Sequence, residues 1–359
     1  MPSDPPVLLG PDLRGRVLDQ RYRLDAVLGC GGTANVYAAA DLRLGGHGVA
    51  VKVFHPEAAR SEEQRRRIRL EALVGARLDH PHLVSVLDFG AMSSAGVEPQ
   101  PYLVMPRVEG PTLRELVLGG PIPWRRVVAL GVQILDAVAA IHGLGVLHRD
   151  LKSNNCVVSR RGGRDHVVLL DLGLAKVGGF AAGLVSAVPR TRTGAIFGTL
   201  AYLAPEQACG QVVDARADLY AVGVILFEAL TRRLPFVGGE YAVLRGHVEE
   251  VPPSPGSVAP GAGIPAELDA AVLRALAKDP GERFASAEAF AGALAAIVDA
   301  EEDARDRRTS DDRGDDAARR ALAAWTRFEY AGAREAAAEA ALRSRSWSPL
   351  PLLLELLPE

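Results

Sequence analysis

Cysteine is scarce in this chain: Cys30, Cys156 and Cys209 are the three among 359 residues. None forms a CxxC pair, and no histidine cluster stands near one at metal-ligand spacing. That excludes a disulfide framework and a zinc-ribbon type of site, and predicts free thiols in a reducing compartment. An excess of charge of either sign is also missing. The formal net charge is −3, so there is no basic footprint for nucleic acid and no acidic bias toward a cationic partner. Long apolar runs are missing too. The longest candidate, "PLPLLLELLPE", is short, carries Glu355 and is bracketed by prolines, well below the ~20 residues of a membrane helix. "MPSDPPVLLGPDLRG" has neither the charged start nor the apolar core of a signal peptide. The expectation is a soluble cytoplasmic protein with no membrane span. Its 48% hydrophobic and 24% charged residues suit globular folding, with length for one large domain or two ordinary ones.

The pattern along the chain changes character once. From Arg21 to Arg107 short β-branched or apolar runs dominate: "RYRLDAVLG", "NVYAAADLRL", "GVAVKVF", "LVSVLDFG" and "PYLVMPRV". One helical segment, "SEEQRRRIRLEALVGARL", interrupts them. Ser61 is its expected N-cap, Glu62 and Glu63 its acidic first turn, and Ile68, Leu70, Leu73, Val74 and Leu78 one broad apolar side. From Thr112 to Ala300 helices dominate. "WRRVVALGVQILDAVAAIHGLG" is a long one, and "ADLYAVGVILFEALT" is apolar nearly all round, as a buried helix would be. Two short β-like runs, "NCVVS" and "HVVLLD", lie between them. Residues 178–199 are Gly/Ser/Thr-rich and aperiodic, a long loop of the kind that serves a function or stays disordered. The expected divisions are an N-terminal tail 1–20, a β-rich lobe 21–107, a helical lobe 108–300, a charged linker 301–318 and a helical tail 319–359.

Several short stretches carry chemistry. "LGCGGTANVY" places Gly29 and Gly31 between two predicted strands. A Rossmann turn would lead into a helix, and a P-loop would end in GK[ST], so the choices left are a nucleotide flap or a plain hairpin turn. In "VAVKVF", Val49, Val51 and Val53 share one strand face, Ala50 and Lys52 the other. If the second face lines a cleft, Lys52 needs phosphate oxygens and a carboxylate, for which Glu71 is the candidate; otherwise it is an exposed edge lysine. In "HRDLKSNNC", Asp150 and Asn155 flank Lys152. This suits an aspartate taking a substrate proton, an asparagine ligating a metal and a lysine neutralising a transferring phosphate. Asp171 in "LLDLG" ends a strand before a glycine, as a Mg²⁺ ligand or an ordinary turn aspartate.

In order, these stretches are a glycine-rich flap, Lys52, Glu71, "HRDLKSNN", "DLG" and then "APE" at Ala204–Glu206. The set resembles the Hanks-type serine/threonine protein kinases, bacterial branch, over Arg21 to Ala300. The resemblance implies an α+β bilobal kinase fold: a small β-rich N-lobe with one regulatory helix and a larger, mainly helical C-lobe. A C-terminal helical extension follows. It implies ATP and Mg²⁺ or Mn²⁺ as cosubstrate and cofactor, and protein hydroxyls as substrates. Lys52 would contact the α/β-phosphates and pair with Glu71. Asp150 would be the catalytic aspartate, Asn155 and Asp171 the metal ligands. Lys152 and Thr199 follow the serine/threonine rather than the tyrosine pattern. Leu28, Gly29, Gly31, Val36, Ala50, Met105 as gatekeeper, Pro106 through its carbonyl, Val108 through its amide, and Val157 would surround ATP. Asp218 would brace the catalytic loop, and Arg283 would pair with Glu206.

Departures from the family pattern leave the catalytic groups intact. Leu172 replaces the usual Phe after the metal-binding aspartate, Ser153 a common proline, and Asn154 a frequent Glu. Ala34 stands where the flap has its last glycine, and its methyl is expected to stiffen the flap and raise the KM for ATP modestly. Cys30, at the flap tip, is expected near solvent and is the first cysteine to test for oxidation. Arg149 before Asp150 implies activation by loop phosphorylation, with Thr191 and Thr193 as autophosphorylation sites, reached in trans through a homodimer. Residues 319–345 read as two alanine-rich helices around Gly332, resembling a tetratricopeptide-type hairpin, with a plain helical extension as the alternative. The alternatives to an active kinase are a pseudokinase scaffold, or a kinase acting mainly as a docking platform through its tail.

Overall fold

The computed structural model describes residues 11–94, 97–171 and 200–303, together with Arg320 and Ala336. The chain divides into two units, residues 1–295 and 296–359. In the second unit, the described residues 296–303 are helical.

The first half of the larger unit is a six-stranded antiparallel sheet in the order β1-β2-β3-β4-β6-β5. Its strands are β1 (Val17–Leu18), β2 (Tyr22–Cys30), β3 (Ala34–Asp41), β4 (His47–Phe54), β5 (Asp88–Ser94) and β6 (Val97–Pro106). Alternation gives the sheet two different faces. Tyr37, Ala39, Val49, Val51, Val53, Tyr102 and Val104 form a buried cluster on one of them. Leu13 and Leu18, from the segment 1–20 that precedes the expected lobe, are part of that cluster. The run "LVSVLDFG" contributes less strand than its composition suggests. Strand β5 begins only at Asp88, and Leu83 instead makes an isolated parallel bridge to Leu169.

Helix α1 (Glu62–Arg77) starts at Ser61, whose side chain accepts from the Gln64 amide while the Gln64 side chain accepts from the Ser61 amide, a full capping box. Its apolar side is narrower than expected. Ile68, Glu71, Ala72, Val74 and Gly75 are buried, whereas Leu70 and Leu73 are 46% and 60% exposed. At about 100° per residue, positions 70 and 73 fall on the far side of the helix from 68, 71, 72 and 75. The buried side packs with Ala34, Phe54, Ala59 and Leu103 of the sheet and its connections.

The rest of the unit contains helices α2 (Leu113–Gly119), α3 (Trp124–Gly143), α4 (Pro205–Ala208), α5 (Arg216–Thr231), α6 (Glu240–Glu249), α7 (Pro255–Val258) and α8 (Ala266–Ala275), and helical residues 287–295. A hairpin of β7 (Cys156–Arg161) and β8 (Arg164–Leu169) lies among them. Residues Ala217 to Thr231 of α5 are all buried, as its lack of a polar face requires. Helix α3 is 20 residues long and apolar enough, by length and composition, to cross a membrane, a span that the run-length reading did not anticipate. Here it packs on α5 and β8, and half of its apolar window is buried in the lobe.

Among the described residues, backbone hydrogen bonds join the halves of this unit at two places. The Leu169 carbonyl accepts from the Val84 amide at 2.9 Å, and the His82 carbonyl from the Leu169 amide at 3.0 Å. On the other strand of the hairpin, the Pro111 carbonyl accepts from the Val158 amide at 2.9 Å. Gly110 fits there at φ +141°, where an added Cβ would lie 2.5 Å from the Val158 carbonyl oxygen.

Candidate active site

Strand register decides which residues line the cleft side of the sheet. Val36 pairs with Lys52, and Ala38 with Ala50 across β3–β4. Ala50 pairs with Met105, and Lys52 with Leu103 across β4–β6. Directly paired residues share a face. Val36, Ala50, Lys52 and Met105 therefore stand on the face opposite the Tyr37–Val51 cluster. Met105 packs against Val84 and Val168, with Val108 and Val86 beside them. Val157 is buried on β7, and Leu28 is half exposed at the end of β2. Pro106 ends β6 opposite Val49. The Val108 amide has no backbone hydrogen-bond partner among the described residues.

Lys52 is 6% exposed and makes two ion pairs. Its Nζ donates to Glu71 Oε1 at 2.6 Å and to Asp171 Oδ1 at 2.7 Å. Burial disfavours its charge, but the two carboxylates outweigh that and the net shift is upward. The lysine is thus a fixed cation, held by Glu71 of α1 and by Asp171, two residues past the end of β8.

The catalytic-loop segment is held from below. Asp218, at the start of α5 and 2% exposed, accepts from the His148 amide and the Arg149 amide at 2.8 Å each. His142 Nε2 donates to the same carboxylate at 2.8 Å. Burial works against the Asp218 charge; the His142 hydrogen bond and the nearby amides and imidazoles more than offset it, so its pKa is lowered. Arg149 sits at φ +64°, a left-handed conformation in a segment whose amides at 148 and 149 are both tied to Asp218. His148 is fully buried, and burial pushes its pKa down against the pull of the nearby carboxylates.

This scaffold presents Asp150. Lys152 Nζ donates to Asp150 Oδ2 at 3.0 Å, and Asn155 Nδ2 donates to the Asp150 carbonyl at 3.0 Å and to Oδ2 at 3.2 Å. The Leu170 amide donates to the Asn155 carbonyl at 2.9 Å, which ties the segment leading to Asp171 onto the same loop. Asn155 and Asp171 offer an amide oxygen and a carboxylate, hard donors that fit Mg²⁺ or Mn²⁺.

Farther down, Arg283 Nη1 and Nη2 donate to Glu206 Oε1 and Oε2 at 2.8 Å each, both residues being buried. Sequence reasoning missed one network. The Ser153 hydroxyl and the Tyr202 hydroxyl are 2.8 Å apart, and Tyr202 donates to Glu228, which also pairs with Arg114. The replacement of proline by Ser153 supplies this network's first member; Tyr202, its direct partner, lies 49 residues away, and Glu228 and Arg114 are on other elements again, beyond any local signal.

Two expectations about the flap change. Ala34 is 5% exposed and packs with Phe54, Ile68 and Leu103. It is a core residue joining β3 to α1, not a free stiffener of the flap. Cys30 is half-buried, and that burial raises its thiol pKa, away from the thiolate that oxidises readily. Leu172, Thr191, Thr193, Thr199 and the tail 319–359, apart from Arg320 and Ala336, lie outside the described residues.

A two-lobed fold with a cation clamped between two carboxylates, and an aspartate held by lysine and asparagine, is the arrangement of a protein kinase fold. Residues 22–292 match the protein kinase domain, and the chain belongs to the protein kinase family. It is 42% identical over 287 residues to a probable serine/threonine-protein kinase of Streptomyces coelicolor, covering 79% of this chain and 41% of that protein. It is 41% identical over 274 residues to the serine/threonine-protein kinase PknB of Mycolicibacterium smegmatis, covering 75% and 42%. The chain thus spans about two-fifths of the length of these relatives. Among solved structures, the PknI kinase domain of Mycobacterium tuberculosis matches with a TM-score of 0.59 and 28% identity, over 79% of this chain and 98% of that one.

Proposed function

We propose that this protein is an ATP-dependent serine/threonine protein kinase. The observation that carries the reading is the closed Lys52–Glu71 pair, 2.6 Å, with Lys52 also reaching Asp171 at 2.7 Å. Asp150 stands on the same loop as Asn155 and Lys152. The names of the relatives, each a serine/threonine-protein kinase, support the substrate class.

In this reading Lys52 neutralises charge on the α/β-phosphates, and Glu71 fixes its position. Asn155 and Asp171 would hold Mg²⁺ or Mn²⁺, which supplies positive charge beside the phosphates. Asp150 orients the substrate hydroxyl and accepts its proton as the oxygen bonds to the γ-phosphorus and the bond to the β–γ bridging oxygen breaks. Lys152, at 3.0 Å from Asp150 Oδ2, holds that carboxylate in place and lies where it would meet the transferring phosphoryl group. Catalysis on this account is positioning and electrostatics.

The test is phosphorylation of a generic protein substrate with Mg²⁺-ATP. Asp150→Asn should reduce the rate by about 10²–10⁴-fold while ATP still binds. Wild type that binds ATP but transfers no phosphate would instead establish the pseudokinase reading. Autophosphorylation at Thr191 and Thr193, in trans, is part of the proposal; a Thr191→Ala/Thr193→Ala double variant with full activity would remove it. Truncation near residue 300 should leave generic transfer intact, separating the catalytic unit from a docking role of the tail. Cytoplasmic residence is proposed on the free thiols of Cys30, Cys156 and Cys209 and is checked by cell fractionation.

A further inference from the structure

The glycine-rich turn between β2 and β3 has little to hold it. Its register slips between Val27 and Gly29, Gly32 at the tip is exposed, and within the turn the Gly31 amide donates to the Ala34 carbonyl at 2.9 Å. Such a turn costs conformational entropy to order. One residue outside it supplies two further tethers. The His55 amide, just past the end of β4, donates to the Thr33 carbonyl at 2.8 Å. The His55 ring Nε2 lies 3.0 Å from the Gly31 carbonyl. A carbonyl only accepts, so Nε2 carries the proton and donates.

The ring itself is well fixed. His55 is 8% exposed and borders a cavity of about 10 Å³ lined by Pro11, Leu13, Asn35, Tyr37 and Gln100. These neighbours belong to the outer side of the sheet, opposite Lys52. The Gly31–Gly32 peptide is trans, so its C=O and N–H point in opposite directions. With the Gly31 carbonyl turned toward His55 on the outer side, the Gly32 N–H is turned the other way, toward the side of the sheet on which Lys52 stands.

We propose that His55 is a positioning residue for ATP: a latch that orients the Gly32 amide toward the phosphates. This rests on the reading of the cleft as an ATP site. It adds a residue that shares a strand connection with Lys52, three positions away, so that flap and lysine are set by one element. His55 touches neither nucleotide nor substrate in this role, and its effect reaches only ligands that carry phosphates.

The experiment is equilibrium binding of Mg²⁺-ATP and of adenosine to the full chain. His55→Leu should weaken ATP about 5–10-fold, the worth of one lost hydrogen bond, and leave adenosine within two-fold. His55→Gln, which keeps an N–H donor, should return ATP affinity to within two-fold of wild type. If His55→Leu fails to fold, Gly32→Pro removes the oriented amide directly and should show the same ATP-selective loss. The latch is refuted if ATP and adenosine weaken together, if ATP affinity is unchanged, or if the Gln variant behaves like the Leu variant. Because binding is read rather than transfer, a wild type that binds ATP without turnover refutes the kinase reading and leaves the latch standing; one that binds no ATP refutes both.

Discussion

Replacing Asp218 by asparagine tests how the catalytic loop is held. The aspartate accepts three hydrogen bonds of 2.8 Å, from two amides and one imidazole. The asparagine oxygen can replace Oδ2 and keep two of them. Its NH₂ then faces the Arg149 amide, donor against donor. One charge-assisted bond is lost, about 1.5–3 kcal/mol, and a buried donor is left unmade, a further 1–3 kcal/mol or so. The expected destabilisation is about 3–5 kcal/mol. With a urea m-value of about 3 kcal/mol/M, the midpoint should fall by roughly 1–2 M. Arg149 is the residue that loses its tether, and its left-handed backbone stores about 1–2 kcal/mol that then favours relaxation. At the scale of ten-fold per 1.4 kcal/mol, kcat should fall about 5–30-fold below the unfolding zone. The pH dependence has a definite sign. The folded pKa of Asp218 is lowered from 3.8, so its contribution is whole above about pH 4 and is lost as pH falls through the folded value. The gap between wild type and variant should therefore narrow in acid. A variant within 1 kcal/mol of wild type at neutral pH, with full kcat, would refute this account of the brace.

Other changes follow from packing and exposure. Gly110→Ala should destabilise the link between lobes by about 2 kcal/mol or more, since φ is +141° and the new methyl would sit 2.5 Å from the Val158 carbonyl; thermal melts check it. Ala34→Gly should cost about 1–2 kcal/mol, from a buried methyl and added backbone freedom, and leave the KM for ATP nearly unchanged. A KM shift without a stability loss would restore the flap-stiffening idea. Under iodoacetamide, exposed Cys209 should react first, half-buried Cys30 more slowly because burial raises its pKa, and buried Cys156 last, as peptide mass spectrometry would show.

Much of this was legible in the residues. Period-two alternation around Lys52 separated the Val49–Val51–Val53 face from the Ala50–Lys52 face, and the register agrees. The all-round apolarity of "ADLYAVGVILFEALT" marked the buried helix that became α5. Ser61 before two glutamates marked the start of α1. Such features are local: strand and helix periods, caps and turn residues act within a few positions, so the order of the motifs is readable along the chain.

What the tertiary structure alone decided is where separate elements meet. Lys52 reaches partners 19 and 119 positions away, and whether that distance closes to 2.6 Å depends on how α1 seats on the sheet. The same seating turned Leu70 and Leu73 outward and pressed Ala34 into the core. His55 and Gly31, 24 positions apart, meet because β3 and β4 pair to their very ends. Local pattern limits which face a residue shows, while long-range packing, which must bury apolar surface and satisfy each enclosed polar group together, selects its partner.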